Sequence, residues 1–103
     1  MLDPHSDDIA RLQRVSKDLL GNAYRLQVAA AVDECADDEL YSEAVAQRAG
    51  LKDARASEQL RHFAAIGMLE QLPKDGRKQP YKKGPSCYWA MCRSLRQETL
   101  DRP

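Results

Sequence analysis

The sequence predicts a mainly α-helical domain that carries one small β-hairpin. Three observations predict it. Apolar residues recur at helical spacing through most of the chain, two short helical stretches meet at a tight joint, Gly50-Leu51-Lys52-Asp53, and the period shortens to two beside a basic segment containing Asp75-Gly76. A chain of 103 residues suits a single domain with one core. At a radius of gyration of about 13 Å, such a domain has no interior for a deep cleft. The expected domain fills residues 1–103, with 1–6 and 101–103 as loose termini.

The first helix starts at a Ser6 cap, has Asp7 and Asp8 in its first turn, carries Ile9, Leu12, Val15 and Leu19 at helical spacing, and ends at Gly21. Asn22 caps a second helix, Ala23 to about Cys35, whose middle has almost no polar face and so belongs in the core. Ala36-Asp37-Asp38-Glu39 reads as a loop and Leu40-Tyr41 as a short extended piece. Ser42 then caps a brief third helix, with Glu43 in its first turn and Gly50 as its left-handed stop. Asp53 caps the fourth helix, where Ala56, Leu60, Phe63, Ala64 and Ile66 form the inner stripe up to Gly67. The third and fourth helices together make a helix-turn-helix. Met68–Leu72 and Pro80–Lys83 are the two hairpin strands, the second at an edge or beginning with its proline, and the chain is helical again from about Pro85.

Charge is balanced in total, 16 Lys and Arg against 16 Asp and Glu, but not in distribution. The first fifty residues hold ten acids and five bases, so the remainder carries the opposite excess. That asymmetry fits a bipolar molecule with one basic surface for a nucleic acid, and equally two solvated faces of opposite sign. No apolar run approaches the roughly 18 residues that span a bilayer, and the acidic start is unlike a secretory signal. With an odd number of cysteines, three at irregular spacing, the chain reads as a soluble cytoplasmic protein without a disulfide framework.

The order of elements, with "GNAYRLQV" (Gly21 to Val28), "AVAQRAGLKDARASEQLRHFAAIGML" (Ala44 to Leu69) and the basic hairpin, resembles a winged helix-turn-helix transcriptional regulator of the ArsR type. The resemblance covers about residues 7 to 100, and other winged helices share its middle passage. It implies a recognition helix from Asp53 and a wing from the hairpin. With Ala56, Leu60 and Phe63 inward, a step of about 100° per residue leaves Arg55, Glu58, Gln59, Arg61 and His62 outside or at the flanks. These residue types can read base edges in a major groove, with Arg on guanine, Gln on adenine and Glu on the cytosine amine. Lys52 and Ser57 would lie near a phosphate at the amino end of the helix. Lys74, Arg77, Lys78, Lys82 and Lys83 would neutralise a neighbouring backbone. The bland alternatives are an ordinary charged helix face and a strand edge protected by lysines.

Family members of this kind pair through their first and last helices. Ile9, Leu12, Val15, Leu19, Tyr88, Trp89, Met91, Cys92 and Leu95 are the corresponding candidates for a homodimer interface, unless they pack on their own domain. Metal and cofactor sites are not expected. Cys87 and Cys92 are five apart, about 140° around a helix. His5 and His62 lie far apart, and Ser42 to Arg48 lacks the thiol of the family's metal motif. Cys35, Cys87 and Cys92 read as structural, with a site shared across a dimer left open. No nucleophile–base pair, glycine-rich phosphate loop or paired carboxylate suggests an enzyme. The sequence therefore points to a dimeric, double-stranded-DNA-binding regulator, most simply a repressor. A winged-helix protein-interaction module is the alternative.

Overall fold

The computed structural model describes residues 7–102, and the Ser6 cap, His5 and the rest of the expected loose amino terminus lie outside them. The elements run α1 (Asp7–Leu20), α2 (Arg25–Glu34), β1 (Glu39–Tyr41), α3 (Ser42–Ala49), α4 (Asp53–Ala65), β2 (Leu69–Gln71), β3 (Pro80–Lys83) and α5 (Cys87–Asp101). The fold is mainly helical with a small antiparallel sheet, as the apolar spacing predicts. Asp101, expected in the loose end, is the last residue of α5.

α2 is the centre of the molecule. Every residue from Leu26 to Val32 is buried, because the helix is packed by α1, α3, α4 and α5. That is the burial its missing polar face requires. The one polar residue in this run, Gln27, donates Nε2 to the Ala49 carbonyl at 2.8 Å and so ties α2 to the end of α3. α5 lies along α2, and two ion pairs from its middle turns hold it to the carboxyl end of α2, Arg93 Nε to Asp33 Oδ2 at 3.0 Å and Arg96 to Glu34. At its start, Ser86 caps α5 by accepting from the Tyr88 amide, and the Trp89 indole donates to the Gly84 carbonyl at 3.0 Å. Phe63 of α4 meets Tyr88 and Trp89 edge-on, with centroids 5.8 and 5.0 Å away.

Several boundaries differ from those expected. α2 begins at Arg25 rather than Ala23, because Asn22 folds back on the chain and accepts from the Tyr24 amide at 2.9 Å. Ser42 and Asp53 are first helical residues rather than caps, preceded by extended Tyr41 and Lys52, neither of which makes a side-chain cap. Gly50 closes α3 in the left-handed region with φ 72°, as its position predicts. Ile66, expected on the inner stripe of α4, is 71% exposed, since the helix ends at Ala65 and Ile66 has already left its geometry.

The sheet order is β1-β3-β2, all antiparallel. The returning hairpin strand is thus central rather than an edge, with Leu40 of β1 and Gln71 of β2 on either side of Tyr81. Pro80 is tolerated because it is the first residue of β3. At the hairpin tip Asp75 and Lys78 bridge each other, so the turn residues are Gly76-Arg77 rather than Asp75-Gly76. Gly76 has φ 64° and Arg77 does not have positive φ, the backbone sense of a type II′ turn.

Candidate nucleic-acid interface

Helix α4 is tied to the α1–α2 turn by a polar network. Gln59 is fully buried on α4, accepting from Arg25 Nε at 3.3 Å and donating to Asn22 Oδ1 at 3.1 Å. Arg25 also donates to the Leu20 carbonyl at the end of α1, 2.8 Å away. The buried Ser16 hydroxyl donates to the Asn22 carbonyl and accepts from the Leu26 amide at 2.9 Å. This chain of bonds fixes α4 against the α1–α2 turn by direction as well as by packing.

Gln59 is therefore not a base-reading residue. Its amide is spent inside the molecule, and withdrawing it would leave the Arg25 Nε–H without its acceptor and remove one of the two donors to Asn22 Oδ1. The spacing held the signal: Ala56, Gln59, Leu60 and Phe63 form an i, i+3, i+4, i+7 set, and all four are buried. Ser16 carries the same signal on α1, one helical turn after the buried Leu12.

The rest of α4 faces outward. Ala54, Arg61 and Ala65 are exposed along one ridge with the half-buried Glu58, and Ser57 and His62 flank it. Arg55 is exposed with its guanidinium 5.0 Å from the centre of the Tyr24 ring, a cation–π contact. Lys52 is exposed immediately before the helix.

The hairpin tip lies beside the first turns of α3 and α4. Arg77, Lys78 and Gln79 line one cavity of about 290 Å³ with Ser42 and Glu43 of α3 and with Asp53 and Ser57 of α4. Lys78 Nζ is 5.8 Å from the centre of the Tyr41 ring. Lys74, Arg77, Lys78 and Lys82 are exposed, but two of the five expected wing cations are compromised. Lys83 turns inward, and its ammonium donates to the Val32 and Cys35 carbonyls at 3.3 and 3.1 Å. It closes the carboxyl end of α2, where free carbonyls and the helix dipole favour a cation. Lys82 stands in register between Glu39 and Glu70 on its two neighbouring strands, which offsets its charge. The basic surface is thus concentrated at Lys74, Arg77 and Lys78. It is opposed locally by Glu43 and Asp53.

The expected dimer residues divide in the same way. Leu12, Trp89 and Cys92 are buried in the core of their own domain, so they are not available as interface residues. Burial pushes the Cys92 thiol up, and pushes the Tyr88 phenol up to about 12, with the nearby Cys92 thiol acting in the same direction. Val15, Tyr88 and Leu95 are partly buried against the core, and Ile9 is half-buried. Leu19 and Met91 remain 67% and 48% exposed. Cys35, Cys87 and Cys92 are free thiols, and no group of three metal-ligating side chains occurs among the described residues. No helix among them is long and apolar enough to cross a membrane.

No protein-family model matches the chain, and no curated protein matches it at significant similarity.

Proposed function

We propose that the protein is a winged helix-turn-helix regulator of transcription, ArsR-like, that binds double-stranded DNA in the cytoplasm as a homodimer and represses by occupying its site. The observation that carries this reading is the outward ridge of α4, Ala54-Glu58-Arg61-Ala65 with Arg55 and His62 beside it, next to a hairpin tip bearing Arg77 and Lys78. A helix of this width enters a major groove, with small alanines allowing close approach and Arg61 positioned for a guanine edge. Lys52 and Ser57 then lie toward the phosphates, and the hairpin tip with Lys74 lies on the flanking backbone. The buried stripe and the Gln59 network hold the ridge in place while it is read. Two copies paired through α1 and α5, with Leu19 and Met91 at the contact, double the site.

Glu58 sets specificity in this reading, because a carboxylate is repelled by phosphates except where it accepts from a cytosine amine. Glu58→Ala is expected to relax base preference while strengthening binding to unrelated duplex. Selection from a random duplex library, followed by anisotropy on selected and scrambled sequences, measures both. Uniform weakening on all sequences would contradict the role. Enrichment of a palindrome by the unaltered chain would support dimeric recognition.

One observation favours a second reading, a module that binds an acidic-and-basic protein surface: Glu43 and Asp53 line the same cavity as Arg77. Salt dependence separates the two. Duplex binding gives a log–log slope of about −0.9 per phosphate neutralised, and failure to bind any duplex at low salt favours the protein partner.

A further inference from the structure

We infer that the groove between the end of α1, the end of α4 and the start of α5 binds a small aromatic monocarboxylate on Arg25, and that its binding loosens α4. The groove encloses about 400 Å³, within the usual range of ligand sites, roughly 300–1,000 Å³. Phe63 and Tyr88 form an aromatic wall, their rings 61° apart in plane, and Ile66 and Met68 continue it. Ile66 is 71% exposed at the rim, an aliphatic side chain with its apolar surface in water. The polar lining is Arg25 and His62, with no carboxylate among the lining residues.

Arg25 selects the class of ligand. Its acceptors are neutral, the Leu20 carbonyl and the Gln59 amide, and no ion pair among the described residues includes it. A half-buried guanidinium with no counter-ion among the described residues, beside apolar walls, is complementary to a carboxylate carried on a ring. A neutral aromatic leaves the charge uncompensated. A short aliphatic acid leaves the wall wet.

The same guanidinium gives the site a consequence. Its bond to Gln59, at 3.3 Å, is longer than the common range for such bonds, and a carboxylate is the stronger acceptor. With Arg25 drawn to the ligand, Gln59 keeps only Asn22, and α4 loses one of the two hydrogen bonds by which Gln59 ties it to the α1–α2 turn and the start of α2. The effect on duplex binding rests on the function proposed above; the site itself does not.

Trp89 reports on the groove, because it is the only tryptophan and its ring packs 5.0 Å from Phe63 and 5.9 Å from Tyr88. Titrating the full chain with benzoate is expected to change its fluorescence saturably, with benzyl alcohol and acetate each at least about tenfold weaker. Ile66→Glu places a negative charge on the exposed rim, where folding does not depend on the side chain, and is expected to weaken benzoate at least about tenfold. Arg25→Met should abolish binding, with circular dichroism to establish that the variant folds; Ile66→Glu keeps the test decisive if it does not. No saturable response, or equal binding of benzyl alcohol, overturns the site. So does conversion of a dimer to monomer by Ile66→Glu with no benzoate response in the unaltered chain, which assigns the groove to a second copy. Saturating benzoate should lower duplex affinity about fivefold or more, and an unchanged duplex affinity overturns the coupling. Benzoate binding by a chain that binds no duplex leaves the site standing and removes the DNA reading.

Discussion

Gln59 and Arg61 are two residues apart on α4, and the fold assigns them opposite tasks. The Gln59 amide joins Asn22 to Arg25, so Gln59→Ala leaves the part-buried Arg25 Nε–H without its acceptor, takes one of two donors from Asn22 Oδ1, and is expected to cost about 2 kcal/mol. Arg61 is exposed, and Arg61→Ala should leave stability within about 0.5 kcal/mol while weakening duplex binding. Urea unfolding of the two variants beside duplex titrations separates the roles; equal stability would contradict the network. Nothing in the residue type distinguishes a glutamine that reads adenine from one that braces a helix. Its neighbours at i−3, i+1 and i+4 do, because Ala56, Leu60 and Phe63 bracket it on the buried face.

At the scale of the element, the hairpin shows how a basic run divides. Lys74, Arg77 and Lys78 are exposed at its tip, whereas Lys83 caps α2. Replacing any of the first three with Met is expected to reduce the salt slope of duplex binding by about 0.9. Lys83→Met should instead leave the slope unchanged and cost about 1 kcal/mol of stability. Anisotropy across a salt series with parallel thermal unfolding checks both, and a lowered slope in Lys83→Met would return that residue to the interface. The hairpin itself was legible from the period change and from Gly76, though the turn falls one residue later than the Asp75-Gly76 pair suggested. Its place was not: local pattern carries no record that β1, some forty residues earlier, pairs with β3 and makes it central.

For the whole molecule, burial of titratable groups around α5 predicts an alkaline limit. Tyr88 is held neutral up to about pH 12 in the fold, against an ordinary value of 10.0, and burial raises Cys35, Cys92 and Tyr81 in the same direction. A raised folded value means that the unfolded chain gives up its protons first. Stability is therefore full below about pH 9 and falls as the pH rises toward 12. Thermal unfolding between pH 8 and 11.5 should show the fall, and Tyr88→Phe should flatten its upper part. Assembly is a second property at this scale. Leu19→Glu with Met91→Glu places charge on the exposed large apolar residues of α1 and α5, and sedimentation should show a dimer becoming a monomer without loss of helicity. A monomeric unaltered chain would remove the dimer.

The sequence by itself determined roughly where helices run, because apolar period and glycines are local, while the cap positions it suggested were off: α2 had to be central once its middle lacked a polar face, and α3 had to stop at Gly50. Only the tertiary structure decided which polar residues remain for a partner. Spacing alone puts Gln59 on the buried stripe of α4, but the groups that hold it, like those that draw Lys83, Trp89 and Cys92 inward, come from elsewhere in the fold, and a side chain held by such partners is no longer free to meet one outside it.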